Sequence, residues 1–400
     1  MTQTAEPVKY AVRDSWSSLA AEATTAAVRP LRAVTSPIDG QIVGQVPACT
    51  PADVRRAEDA GRAAQVGWEA LGAQKRADVI VQFKDLLHAN RDELLDLLHA
   101  ENGKARTSAL EEFLDALLTA GYYAAKAPKV LRRDRRHGAI PGLTSTYVHY
   151  LAKGVVGVIA PWNYPLTLAA SDAVPALLAG NAVILKPDSL TPLTGLFVAK
   201  LLREAGLPRD VFQVVTGPGA ELGKPLIDAS DFVMFTGSTE VGRDVAAQCG
   251  RRLISSSMEL GGKNALLVLE DAPFERAVEG AVQGSFANSG QLCVSIERIY
   301  VAAPLYERFA EAFAARAGQL RLGGGGGWEV DLGPLISQGQ LAKVASHVDD
   351  ALAKGARALT GGRRREDLGA LFYEPTVLTG VTDAMAVARE ETFGPVVSIY

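Results

Sequence analysis

The spacing of apolar positions changes several times along the chain. From residue 51 to about 128 they recur every three to four residues among charged ones, as in RADVIVQFKDLLHANRDELLDLLHAENGK. That period predicts long amphipathic helices. Residues 139–153 change character: Thr, Tyr and Val alternate between Gly and Pro, which predicts an exposed strand or hairpin. A regular alternation of short apolar runs and helical segments then begins. GVVGVIA reads as a buried strand, and NAVILKP, VFQVVTG, DFVMFTG and RLISSSMEL read as strands. LTLAASDAVPALLAG, PLTGLFVAKLLREAG, GAELGKPLIDA and STEVGRDVAAQCG read as the helices between them, with Gly180 and Gly206 as stops. Such alternation predicts an α/β fold built on a doubly wound parallel sheet with right-handed crossovers.

After GGKN, near residue 261, a second α/β unit follows. ALLVLE and RIYVA read as strands, and FERAVEGAVQGSFANSG and PLYERFAEAFAARAGQL as helices. LGGGGGW (322–328) reads as a flexible loop. The final FGPVVSIY reads as the start of a strand. A strand inside a sheet needs neighbours on both sides, so the expectation is that the chain is cut short there.

Composition narrows the class. The 400 residues are 48% hydrophobic and 22% charged with a net charge of −4, which is ordinary for a globular protein of more than one domain. Neither nucleic acid nor an anionic membrane is an expected partner. The run RRDRR (132–136) is short and reads as a solvated loop. No segment has the ~18 consecutive apolar residues of a membrane span, and the N-terminal MTQTAEPVKYAVRDSWSSLAAEA lacks the pattern of a secretory leader. The three cysteines, Cys49, Cys249 and Cys293, are far apart and form no C-x-x-C, so a disulfide framework or a zinc site is not expected and a reducing cytoplasm is. His88, His99, His137, His149 and His347 show no metal spacing, and no metal site is expected.

Chemistry concentrates at the strand ends, where open parallel sheets bind ligands. GVVGVIA runs into PWNYP (161–165), NAVILK ends in Lys186, DFVMF runs into TGSTEVG (236–242), and ISSSMEL reaches Glu259 before two glycines. Each taken singly is a turn; four at one edge make a binding crevice. Gly237 with a helix starting at Ser238 or Thr239 suits a phosphate. The spacing is not G-x-G-x-x-G, and Gly217 and Gly219 do not fit that fingerprint either. A lone cysteine is by default a small buried hydrophobe, and Cys49 and Cys249 keep that reading.

PWNYP, LKP, FTGSTEVG, MELGGKN, NSGQLC with Arg298 five residues on, and EETFGPV occur in this order, and Cys293 lies 34 residues after Glu259. The set resembles the aldehyde dehydrogenase superfamily from about residue 35 to 400. The resemblance implies a thiolate nucleophile at Cys293, presented by Gly290 and Gln291, with Arg298 as a structural anchor. It implies an oxyanion held by the Asn163 amide and the Cys293 N–H, and Glu259 as the base that activates water. No metal is needed for that sequence of steps. It places Ala160, Trp162 and Leu260 at the nicotinamide, Glu391 and Phe393 at its ribose, Gly237 and Ser238 at the pyrophosphate, Lys186 at the adenosine ribose and Gly219 at the adenine. NAD-preferring members often carry glutamate three residues after the lysine. Ser189 stands there, so NADP is the expected preference, with NAD the other cofactor. The direction of Asp188 is open.

The chain looks most like succinate-semialdehyde dehydrogenase members. Well-studied ones hold the substrate carboxylate with arginines where Ala287 and Ser171 stand here. The rival expectation is broad specificity for apolar aliphatic or aromatic aldehydes. Silent members of the fold lose the cysteine, glutamate or asparagine, and CoA-acylating members usually lack the glutamate; all three residues are present. The resemblance further implies a cofactor domain over 1–138 and 154–260, an oligomerisation hairpin at 139–153, an incomplete catalytic domain over 261–400, and a homodimer or homotetramer when the chain is full length.

Overall fold

A computed structural model describes residues 13–400. Part of the N-terminal stretch read above for a leader, residues 1–12, lies outside the described residues. A short helix α1 (Asp14–Ser17) and an antiparallel hairpin of β1 (Leu31–Thr35) and β2 (Ile42–Pro47) lead into four helices: α2 (Pro51–Ala70), α3 (Ala73–Ala89), α4 (Arg91–Asn102) and α5 (Arg106–Val130). Helix α2 begins where Asp53 accepts the Thr50 N–H at 2.6 Å and Pro51 occupies a position that needs no donor. The inward faces of α3 to α5 carry Ile80, Phe83, Leu87, Leu94, Leu98 and Phe113, all buried in one large core.

The hairpin expected at 139–153 starts earlier. Strand β3 (Asp134–Arg136) pairs antiparallel with β4 (Thr146–Val148), so part of the basic run 132–136 is strand and not loop. The ribbon is exposed on both faces, so polar side chains cost nothing there and the apolar pattern gives no signal. Arg133 instead covers the Tyr147 ring at 4.0 Å.

Beyond the hairpin the alternation produces β5 (Val155–Ile159), α6 (Pro165–Leu178), β6 (Ala182–Lys186), α7 (Pro192–Glu204), β7 (Phe212–Val214), α8 (Gly219–Ala229), β8 (Phe232–Thr236), α9 (Thr239–Arg252) and β9 (Ser255–Glu259). The sheet is parallel in the order β7-β6-β5-β8-β9. Helices α6 and α7 pack together on one face and α8 and α9 on the other. Gly180 and Gly206, at φ +92° and +93°, end α6 and α7 in the left-handed region. The order reverses between β5 and β8, and the crevice opens there.

The second unit comprises β10 (Asn264–Val268), α10 (Phe274–Phe286), β11 (Ile296–Val301), α11 (Tyr306–Ala317), α12 (Gln338–Ala353), β12 (Arg357–Thr360), β13 (Thr376–Thr379), α13 (Ala386–Arg389) and β14 (Val396–Ile399), in the sheet order β10-β11-β14-β13-β12. Its core joins Phe286, Phe309 and Phe313 of α10 and α11 to Val397 and Ile399. Strand β14 lies between β11 and β13, the latter supplied by the 338–379 segment, unread in the sequence. One expectation is corrected here. Helix α10 stops at Phe286 and does not run to Gly290. Asn288, Ser289 and Gly290 follow at φ +50°, +55° and +70°. The side chains of the bend, Asn288, Ser289 and Gln291, are polar yet buried, so nothing in their local pattern marks where the helix stops. Residues 322–328 form an irregular segment in which Gly324 lies against Ile38 and Phe372.

Candidate active site

Four strand ends stand level because the register makes them so. Ile159 pairs with Lys186 and with Phe235, and Thr236 pairs with Glu259. The chain stays tied one residue further on: Ala160 N–H donates to the Lys186 carbonyl at 3.2 Å, and Gly237 N–H to the Glu259 carbonyl at 3.0 Å. Trp162 and Asn163 therefore turn out of β5 at the same height as Lys186, Gly237 and Glu259.

On the β6 side, the buried Lys186 ammonium donates to the Pro187 carbonyl at 3.1 Å, and burial pulls its pKa down. A side chain at Gly219 would sit 3.8 Å from that ammonium, so the glycine keeps the space open. Ser189 Oγ donates to the Gly217 carbonyl at 3.0 Å, and Asp188 accepts the Leu190 N–H at 2.9 Å, turned into its own loop. On the β8 side, Ser238 caps the 14-residue helix α9, accepting the Val241 N–H. A Cβ on Gly237 would come within 2.7 Å of the Phe235 ring. Thr236 Oγ1 is buried with no partner among the described residues. A buried cation, an open glycine, an orphaned hydroxyl and a free helix start together fit a dinucleotide phosphate backbone and its ribose. At the other end Trp162 meets Phe393 edge-on, with ring centroids 5.5 Å apart. Leu260 packs with Phe235 above Gly242, where a Cβ would clash.

The EETFGPV loop is built tightly. Glu391 accepts the Gly262 N–H at 3.1 Å and lies directly on Gly261. Phe393 holds φ +56°, strained for an aromatic residue. Two residues missed in the sequence hold it there. Glu297, ion-paired with Lys263, accepts the Thr392 and Phe393 N–H groups at 2.9–3.1 Å, and Gln340 donates to the Phe393 carbonyl at 2.6 Å. Glu297 sits four residues after Cys293 and was legible only as a surface charge.

Cys293 is half-buried. Burial pushes its thiol upward, backbone N–H groups of Val294 and Cys293 oppose this, and Glu391 and Glu259 raise it further. Asn264 fastens the turn by donating to the Cys293 and Ser295 carbonyls at 2.7 and 2.9 Å. The Asn163 side-chain amide donates to the Gln291 carbonyl at 3.2 Å, joining the two loops across the crevice. Gln291 is itself buried and accepts the Ile336 N–H at 2.9 Å. Arg298 donates to the Lys263 carbonyl. Glu259 is exposed at the crevice rim. On α6, Ser171 Oγ and Asp172 Oδ2 are shielded from solvent without partners among the described residues, and burial followed by the Glu259 charge pushes Asp172 up to about 7. Ala287 caps α10. Asp172 was missed because one carboxylate in a helix carries no pattern.

The model of the aldehyde dehydrogenase family matches residues 25–400. The putative succinate-semialdehyde dehydrogenase [NADP(+)] of Mycolicibacterium smegmatis is 50% identical over 372 residues, covering 93% of this chain and 72% of that protein. The 3-sulfolactaldehyde dehydrogenase of Pseudomonas putida is 39% identical, covering 92% of this chain and 76% of that protein. Among solved structures, the aldehyde dehydrogenase of Brucella melitensis biovar abortus 2308 superposes with a TM-score of 0.89 at 39% identity, over 93% of this chain and 76% of that one. Betaine aldehyde dehydrogenase from Staphylococcus aureus in complex with NAD+ also reaches 0.89, at 32% identity, over 94% of this chain and 77% of that one.

Proposed function

This chain belongs to the aldehyde dehydrogenase family and is an oxidoreductase acting on aldehydes, and from that premise we propose that it oxidises a short semialdehyde with an anionic tail to the acid, using NADP. The observation that carries the reading is the Asn163–Gln291 hydrogen bond, which draws a buried amide and the cysteine turn to one point of the sheet edge.

The Cys293 thiol gives its proton to solvent water and adds to the carbonyl carbon as the thiolate. The carbonyl oxygen becomes an oxyanion held by the Cys293 N–H and the second Asn163 amide hydrogen. A nicotinamide held beside Ala160, Trp162 and Leu260 would supply the acceptor for the hydride of this carbon. A thioester on Cys293 remains. Glu259 takes a proton from water, the hydroxide adds to the thioester, and the acid leaves as the thiolate is restored. Lys186, Gly219, Ser189, Gly237 and Ser238 would hold the adenosine and pyrophosphate, and Ala160, Trp162, Leu260, Glu391 and Phe393 the nicotinamide and its ribose. The NADP preference follows from Ser189. A 2′-phosphate there would be spared the repulsion of a glutamate and would lie near the Lys186 charge, while the neighbouring carboxylate of Asp188 accepts the Leu190 N–H. On this reading the described residues of 1–138, with 154–260, are the cofactor part and 261–400 the catalytic part.

A second reading, apolar aldehydes, is favoured by one observation: positions 171 and 287 carry serine and alanine, and no cation. The test is NADP and NAD reduction with succinate semialdehyde beside butanal, for the wild type and Cys293→Ala. Turnover of the semialdehyde at least tenfold above butanal supports the first reading, and the reverse supports the second. Reduction that survives in Cys293→Ala refutes the mechanism.

A cytoplasmic location fits three unpaired thiols, and no described helix is long and apolar enough to cross a membrane. A homo-oligomer fits the exposed β3–β4 edge, which leaves backbone groups to pair. Light scattering at several concentrations checks the assembly.

A further inference from the structure

We infer that Lys104 and Glu112 form a buried positioning device for the oxyanion donor Asn163. Four residues at the end of α4, Glu101-Asn102-Gly103-Lys104, run beneath the PWNYP turn. Gly103 turns the chain at φ +81°, with Pro37 and Pro334 filling the place of a side chain. Each polar member then reaches a different target. Glu101 accepts the Leu193 and Thr194 N–H groups at the start of α7, at 2.5 and 3.0 Å. Asn102 donates to the Trp162 carbonyl at 2.7 Å. Lys104, with no exposed side-chain surface, donates to the Asn163 carbonyl at 2.8 Å and to Glu112. Its ammonium also lies 4.0 Å from the Tyr164 ring centroid. Glu112 accepts the Leu166 and Thr167 N–H groups at 2.6 and 3.2 Å, where α6 begins.

The Asn163 carbonyl accepts a second bond, from Asn288 Nδ2 at 3.2 Å, and Asn288 also donates to the Gln291 carbonyl at 3.2 Å. Both lone pairs of that carbonyl are thus used, one by each side of the crevice. The peptide plane is fixed, and with it the direction of the side-chain amide. An ammonium sealed from water is costly to bury. An apolar side chain could pack as well there, but it could neither donate to the Asn163 carbonyl nor bind Glu112. The pair acts through Asn163 and touches no reacting atom.

This inference rests on the proposed role of Asn163. The test is the double variant Lys104→Met/Glu112→Gln. It removes both buried charges, leaves an acceptor for Leu166 and Thr167, and deletes the donor to Asn163. Turnover is measured per active site titrated with iodoacetamide, beside Asn163→Ala. The expected result is a fall in kcat of about ten- to hundredfold, with KM for aldehyde and NADP within about threefold and a wild-type rate of Cys293 alkylation. A kcat within twofold of wild type, even with a lower Tm, would overturn the inference and leave a purely structural ion pair. Wild-type turnover in Asn163→Ala would sink the role of Asn163 itself, and this inference with it. If the double variant does not fold, Asn288→Gly removes the other donor to the same carbonyl without touching a buried charge. The same fall in kcat is then expected, and an unchanged kcat refutes the device.

Discussion

Replacing Asp172 by asparagine should flatten part of the dependence of stability on pH. In the fold its carboxyl is pushed up to about 7, first by burial and then by Glu259, and Oδ2 finds no partner among the described residues. In the unfolded chain it titrates near its usual ~3.9. The native state therefore binds the proton more tightly, and stability falls as pH rises between those two values. The contribution of this group is complete below about pH 4 and is lost above about pH 7. The slope is about 1.4 kcal/mol per pH unit inside that window, which gives roughly 2–3 kcal/mol between pH 5 and pH 8. Asparagine is neutral throughout and has no such slope. The assay is urea unfolding of both proteins at pH 5, 6, 7 and 8, comparing the free energy of the first transition. The difference in stability should move toward the variant by that amount as pH rises. Parallel curves for the two proteins would refute the reasoning, because Asp172 would then titrate alike in both states.

Further outcomes follow from other residues. Glu259→Gln should keep the first burst of NADPH but lower steady-state turnover by about a hundredfold or more, with acylated Cys293 accumulating in intact-mass spectra after rapid quench. Ser189→Glu should swing the ratio of kcat/KM toward NAD by at least about tenfold, and an unchanged ratio would remove Ser189 from the specificity argument. Gly290→Ala should destabilise by several kcal/mol, roughly 3 or more, because the backbone is at φ +70° and the new Cβ would stand 2.1 Å from the Gly394 carbonyl oxygen. A thermal midpoint within about a degree of wild type would contradict that.

Much of the α/β alternation was legible because strands such as β5 and β6 are short, apolar and set between helices, with Gly180 and Gly206 as stops. The candidate residues at the strand ends were legible for the same reason: PWNYP and TGSTEVG interrupt the apolar pattern where a packed element would continue. What escaped notice lacks local contrast. Strand β3 hides in Asp134–Arg136 because both of its faces are wet. Glu297, Gln340 and Lys104 look like surface residues in sequence, and only their partners show otherwise.

The sequence by itself determined the periods of the elements, the glycines that end them, and the order of the chemically distinctive residues. These depend on side chains within a few positions of one another. The tertiary structure alone decided that β14 lies between β11 and β13, that residues 288–290 turn left-handed, and that Asp172 shares its crevice with Glu259. Each of those depends on two surfaces remote in the chain meeting at close-packed density. Hydrophobic burial drives such meetings without direction, and the contacts that select one of them are not written into any local period.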